Sequence, residues 1–291
     1  MVLPNKGEMA SRGESEVAAH RDSIFEVLAE EYYSKPGQGL AGLYDLVAFD
    51  LANDLVSFDI RQPALDLGCG NGAFGSAFCR SLGFDGFDLG MDLKARDVRE
   101  ATRRGPYKFT LQSDARVIPI KTGTIRFILS HGVLCCIHPG HELALLEVAR
   151  ILETGGQFVM TVPTPGWTSA LFPTRLFEFL GFQKLARFYS RKTDERNGHR
   201  VLQNLEAWRK DLESVDLKIE SYIQFTTKSE TAWWGVLNMR PFQVFAVFRY
   251  LPGFMQRLAV GITKRLLNYV STLTHPDEKE CGFLLIVARK V

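Results

Sequence analysis

This chain has few cysteines, no long uncharged apolar run and no excess of charge of one sign. Its five cysteines, Cys69, Cys79, Cys135, Cys136 and Cys281, form an odd, scattered set in 291 residues. That argues against a disulfide framework and for a reducing compartment. Met1 to His20 is polar and mixed in charge, without the features of a secretory signal. No apolar run reaches the roughly 18 to 20 uncharged residues that a spanning helix needs. The expectation is a cytoplasmic protein, or one peripheral to the membrane. Thirty-five Lys and Arg stand against 33 Asp and Glu, a net charge of +2, so no global field points to nucleic acid as a partner. Cys135-Cys136 with His138 invites a metal reading, but the spacing matches no zinc site and a fourth ligand is missing. No metal is expected; the two cysteines read as small buried hydrophobes at a helix start.

What the chain does have begins at Ala64. Ala64-Leu65-Asp66-Leu67-Gly68-Cys69-Gly70-Asn71-Gly72-Ala73-Phe74 reads as a buried strand with a carboxylate near its end, a glycine-rich turn, and a helix from Ala73 to Leu82. Glycines at 68, 70 and 72 allow a tight turn and let a ligand approach bare backbone. The helix start points free N–H groups at the same place. A second strand, Phe84 to Leu93, ends in Gly90-Met91-Asp92-Leu93. Asp92 lies 92 − 72 = 20 residues past the last glycine, about the spacing at which an acidic side chain holds the two hydroxyls of a bound ribose. Asp88 is a rival carboxylate; Asp92 is preferred because it falls where the strand should end.

A third strand, Tyr107 to Gln112, is followed by Ser113-Asp114-Ala115. There Asp114 could accept from an adenine amino group while the Ala115 N–H donates to the ring. The fourth strand, Ile125 to Ser130, leads to His131-Gly132. A helix from Glu142 to Leu152, a stop at Thr154-Gly155-Gly156 and a fifth strand from Gln157 to Val162 complete the series.

Asp66-Leu67-Gly68-Cys69-Gly70-Asn71-Gly72, Gly90-Met91-Asp92-Leu93, Ser113-Asp114-Ala115 and Arg150-Ile151-Leu152-Glu153-Thr154-Gly155-Gly156 together resemble the ordered motifs of class I S-adenosylmethionine-dependent methyltransferases. The resemblance covers about Tyr32 to Thr164. It implies a Rossmann-like, doubly wound, seven-stranded and mainly parallel α/β sheet with an antiparallel last strand, for which Cys281 to Val291 is suited. It implies S-adenosylmethionine as cofactor and S-adenosylhomocysteine as product. Asp66 and the turn (Gly68, Cys69, Gly70) would hold the methionyl end, Asp92 and Leu93 the ribose, Asp114 and Ala115 the adenine, with Ser130 and His131 beside them. His131, next to the transferred methyl, is the first candidate for a general base; the alternative is a pocket wall, and both readings stay open. By the same analogy Tyr33, on an N-terminal helix over the cofactor, could close the site or touch the acceptor; an amphipathic tyrosine at a helix end is the plainer reading. Relatives often carry a Glu-His pair where this chain has Cys135-Cys136, which puts an inherited acid–base role in doubt.

The organisation expected is a disordered tail over 1–19, a helical segment over 20–60, a cofactor-binding core over 61–165, a cap insert over 166–203 and a C-terminal part of the core over 204–291 with a helical insert at 232–276. Trp167 to Tyr189 is too apolar for a plain loop and suits a cap. Ser190 to His199 reads as a polar linker, Asn204 to Asp211 as a capped helix and Leu217 to Thr227 as the sixth strand. His138 and His141 read as surface or helix-start residues, and either could reach the pocket mouth. Asp and Glu are absent from Thr231 to Pro276, where aromatics alternate with Arg and Lys. That composition suits either a helical face packed on the core or a peripheral contact with an anionic membrane through 232–274. The expected partner is a small or lipid-like methyl acceptor, modified by in-line methyl transfer on oxygen first, with nitrogen or carbon as the other options. Nucleic acid or protein docking on the Arg-rich insert is the alternative, a non-catalytic cofactor-binding module a third, and the protein is expected to be a monomer or homodimer.

Overall fold

The computed structural model describes residues 58–225, 231–232 and 282–291. The expectations for the tail, the N-terminal helices, Tyr33, Cys281 and most of the 232–276 insert lie outside the described residues. Seven strands form one sheet: β1 (Ala64–Leu67), β2 (Phe87–Asp92), β3 (Tyr107–Gln112), β4 (Ile125–His131), β5 (Leu152–Pro163), β6 (Leu217–Phe225) and β7 (Phe283–Lys290). Their spatial order is β3-β2-β1-β4-β5-β7-β6. The pairings among β1 to β5 are parallel, and β7 inserts antiparallel between β5 and β6. The doubly wound, mainly parallel sheet with one antiparallel strand is therefore the observed architecture.

The sheet is buried on both faces, which is why its strands read as nearly continuous apolar runs. On one face Leu65, Leu67, Ile128, Phe158 and Ile286 pack with Leu145, Val148 and Trp208. On the other, Ala64, Phe87, Phe127, Leu129, Val159 and Leu285 pack with Phe78 of the first helix. Helices α1 (Ala73–Leu82), α2 (Ala95–Arg104) and α3 (His141–Ile151) connect the parallel strands. Helices α4 (Trp167–Ala170), α5 (Phe172–Phe179) and α6 (Gln183–Asn197) leave the carboxyl end of β5 as the cap, and α7 (Leu205–Glu213) precedes β6. Asn204 caps α7, its side chain accepting from Ala207 N at 3.0 Å.

Four expectations change. β2 begins at Phe87 rather than Phe84, because the chain must first clear the end of α1. Thr154-Gly155-Gly156 is not a separate stop: the chain passes from α3 at Ile151 directly into β5, and these residues lie inside that strand, next to a register shift against β4. Ser190 to His199 is no linker, since α6 runs to Asn197; Arg191, Lys192 and Arg196 are exposed while Ala186 and Thr193 are buried. Of the cysteine pair, Cys135 is buried but Cys136 is exposed, on a short 3-10 turn over Leu134–Cys136.

Candidate functional site

Backbone hydrogen bonds fasten the glycine turn to β2. Gly68 N and Cys69 N both donate to Met91 O, at 2.7 and 2.9 Å. One residue on, Gly70 N donates to Asp92 Oδ2 at 2.9 Å, and Lys94 N donates to Oδ1 of the same carboxylate at 2.9 Å. Asp92 is thereby held across the turn from Gly70. Gly70 has φ +53° and a Cβ added there would meet nothing within 4 Å, so its backbone lies bare toward open space. The rival Asp88 is at the other end of β2: it accepts from Ala64 N at 2.8 Å and pairs with Lys108 Nζ at 2.7 Å. It clamps three strands at their amino ends.

Asp66 is 2% exposed, on the sheet face that α1 covers. Its Oδ2 accepts from the Tyr107 hydroxyl at 2.6 Å. Burial pushes its carboxyl up to about 7; the Tyr107 hydrogen bond pulls it down and the negative Asp92 pushes it up again. Tyr107 comes from the start of β3, 41 residues away, and reaches Asp66 through a slot that only glycines leave open. A Cβ on Gly90 would lie 2.9 Å from the Tyr107 ring, and one on Gly75 would lie 2.7 Å from Asp66 Oδ2 and closer still to the tyrosine oxygen. Gly72, read from the sequence as part of the ligand turn, also backs onto this ring, with its Cβ position 3.2 Å from Tyr107 Cε2. Sequence reasoning missed Tyr107, although Gly75, Gly90 and Gly105 at otherwise regular positions were a signal that something bulky passes close by.

At the carboxyl end of β4, Ser130 is buried and its Oγ has no hydrogen-bond partner among the described residues. His131 turns to the opposite face, stacks on Phe74 with ring centroids 3.6 Å apart, and shares a 2.6 Å hydrogen bond between Nδ1 and Thr161 Oγ1. Desolvation lowers its pKa to about 3, so the imidazole is neutral. Beyond β3, Asp114 pairs with Arg116 (Nη2 to Oδ2, 2.6 Å) and accepts from Arg116 N at 2.9 Å; these bonds hold it ionised, below the usual carboxylate range. Ala115 beside it is buried and Leu93 is exposed. Arg150, within the last of the four motifs, has a structural task. It pairs with Glu147 at 2.6 Å and donates to Ile118 O and Ile120 O, tying the loop after β3 to α3.

The fold thus gathers Asp66, Gly68, Cys69, Gly70, Asp92, Leu93, Ser130 and His131 at the carboxyl ends of β1, β2 and β4, with Asp114 and Ala115 just past β3. This is where open parallel sheets bind ligands. A cleft of 460 Å³ lined by Arg80, Phe84, Asp85 and Arg104 lies at the amino ends instead. The cap is anchored to the loop after β4, where Arg200 N and Val201 N both donate to Cys135 O at 2.7 and 2.9 Å. His141 is the first residue of α3 and is buried against Trp208 and Asp211, so it does not open on the pocket mouth. His138 is exposed on the preceding turn. No cluster of metal-ligating side chains occurs among the described residues.

Residues 65–160 match a family model described as a methyltransferase domain. A malonyl-[acyl-carrier protein] O-methyltransferase of Alcanivorax borkumensis is 31% identical over 106 residues, which is 35% of this chain and 35% of that protein. The match therefore spans about a third of the curated relative. Among solved structures, an S-adenosylmethionine-dependent methyltransferase of Thermotoga maritima has 17% identity, covers 87% of this chain and 92% of its own, and gives a TM-score of 0.51. A geranyl diphosphate C-methyltransferase of Streptomyces coelicolor, solved with Mg2+, geranyl diphosphate and S-adenosylhomocysteine, gives 0.53 at 13% identity over 86% and 80%. These likenesses show a common fold.

Proposed function

We propose that the protein, whose residues 65–160 match a methyltransferase-domain model, is a class I S-adenosylmethionine-dependent methyltransferase that methylates a small or lipid-like acceptor, on oxygen by preference. One observation carries the cofactor's placement. Asp66 is a buried carboxylate whose sole side-chain hydrogen bond among the described residues comes from the neutral Tyr107 hydroxyl; burial raises its pKa, so a positive charge brought beside it would stabilise its ionised form. A zwitterionic, sulfonium-bearing ligand would supply that charge. The bare Gly70 backbone leaves room for it, and Asp92, held by two N–H groups, keeps lone pairs for ribose hydroxyls. Asp114 is already engaged by Arg116, so adenine recognition would lean on the backbone of Ala115 and on the exposed Leu93 side chain.

S-adenosylmethionine supplies an activated methyl group, and this chain's task is to align the acceptor and exclude water. His131 suits a pocket wall better than a base. A general base works best with a pKa near the operating pH, and the desolvated imidazole, at about 3, takes up a proton poorly. Its bond to Thr161 and its stack on Phe74 hold the ring in one orientation, against which an acceptor can rest. Acceptors that need deprotonation would lose the proton to solvent or arrive already ionised.

Oxygen as the acceptor atom draws support from the name of the Alcanivorax relative, and a lipid-like acceptor from the apolar cap that leaves β5 beside the site. The test is calorimetric titration with S-adenosylmethionine and S-adenosylhomocysteine, with NAD as control, followed by incubation with methyl-labelled cofactor and metabolite or lipid extracts. A labelled product one methylene heavier than its precursor, stable to mild base as an ether or labile as an ester, supports the reading. Label in bulk RNA or protein and in no small molecule overturns it.

A further inference from the structure

The cap hairpin turns its apolar side to water. On α5 and just past it, Leu176, Phe179 and Leu180 are exposed; on and before α6, so are Phe182, Leu185 and Phe188. Spacings of three and four in the first set, and of three in the second, put each set on one side of the hairpin. Phe179, at the hairpin tip, is 87% exposed and Phe182 57%. The opposite faces hold the hairpin together: Phe177 meets Tyr189 edge-on at 6.2 Å, Thr174 Oγ1 bonds Ser190 Oγ at 3.1 Å, and Ala186 and Thr193 are buried. The outward rings are thus not spare core residues. A contiguous apolar patch of this kind marks an interaction surface.

Charge selects the occupant. From Phe172 to Arg187 the chain carries Arg175, Lys184 and Arg187 against Glu178 alone; Arg191 and Lys192 follow and pair with Glu195 at 3.9 and 2.6 Å. Arg175, Lys184, Arg187 and Arg191 are exposed, and the Arg191 guanidinium lies 6.0 Å from the centre of the Phe188 ring. A second copy of the chain would bring the same cations to a two-fold contact and be repelled. An anionic bilayer surface satisfies both halves of the patch, with rings in the acyl boundary and cations among the headgroups. No helix among the described residues is long and apolar enough to cross the membrane, so the contact is interfacial. We infer that the α5–α6 hairpin, led by Phe179, Leu180 and Phe182, docks this protein on an anionic membrane surface.

The experiment is co-sedimentation of the full chain with vesicles of phosphatidylcholine, with and without phosphatidylglycerol, over a range of salt. It does not depend on any methyl acceptor. The expected result is binding to phosphatidylglycerol vesicles that falls with salt, and about tenfold weaker partition or more for Phe179→Ser/Phe182→Ser with an unchanged thermal melt. Lys184→Glu/Arg187→Glu should lose the anionic preference and provides the same test should the apolar double variant fail to fold. Absence of wild-type binding, or equal binding by both double variants, overturns the assignment. So does a wild-type dimer in sedimentation velocity that Phe179→Ser/Phe182→Ser converts to monomer, which would give the patch to a second copy.

Discussion

The cofactor half of the molecule and its cap use the same residue types to opposite ends. Around the glycine turn, Phe78, Phe87 and Phe127 are buried, with the Phe78 ring against both others; on the cap, Phe179, Phe182 and Phe188 face water. In the first region a ring is enclosed by the fold, and in the second it leaves half or more of its surface to solvent. Apolar composition alone therefore cannot assign a stretch of this chain to core or to contact surface; the neighbours a ring meets decide it.

The sharpest way to break that comparison is to truncate one ring from each region. Phe78→Ala should cost about 3–5 kcal/mol in chemical denaturation, through lost burial and the cavity left among Phe58, Phe87 and Phe127. Phe179→Ser should stay within about 0.5 kcal/mol. Equal losses would mean that the cap rings are core residues after all. Within the cofactor half, Asp92→Asn should weaken S-adenosylmethionine binding by about 1.5–3 kcal/mol, the range for a hydrogen bond to a charged group. Asp88→Asn, at the opposite end of the same strand, should leave calorimetric affinity unchanged. Reversed outcomes would move the ribose site to Asp88. Gly75→Ala should destabilise by about 1–3 kcal/mol, because the new methyl meets the Tyr107 hydroxyl and Asp66. Adding Tyr107→Phe should recover part of that loss, and a double variant no better than the single would show that the strain lies elsewhere.

The smallest effect is a pH slope. Asp66 has a folded pKa near 7, raised above its unfolded value of 3.8, so the stability it adds is full below about 3.8 and is lost as pH rises through 7. His131 has a folded pKa near 3, below its unfolded 6.5, so its share is present above about 6.5 and is lost as pH falls toward 3. Between about pH 4 and 6.5 the two slopes oppose each other, at about 1.4 kcal/mol per pH unit each. Asp66→Asn should make stability rise more steeply with pH in this window than in wild type. His131→Gln should make it fall. Parallel wild-type and variant curves in urea titrations would remove the assigned pKa shifts.

Much of this was legible in the residues. The helix from Ala73 to Leu82 and the strand from Tyr107 to Gln112 fall at the expected boundaries, because glycine breaks, apolar runs and a start-to-stop pattern act over a few residues. The order of the motifs also carried the strand–turn–helix–strand logic of an open α/β sheet. Less could be read where a residue's role depends on partners far along the chain. Ser190 to His199 carries the charge of a linker, yet it continues a helix on which Ala186 and Thr193 are buried. Gly72 fits a ligand turn by spacing, and its crowding by Tyr107 was invisible without the third dimension.

By itself the sequence determined the glycine turn, the acidic strand ends and the succession of parallel strands, since backbone freedom, side-chain period and spacing are local properties. Only the tertiary structure decided that β7 slips between β5 and β6, that Tyr107 crosses 41 residues to bond Asp66, and that the cap rings point outward. Each of these is a contact between distant segments, and its free energy depends on shape and solvent exclusion that exist only once the chain has closed on itself.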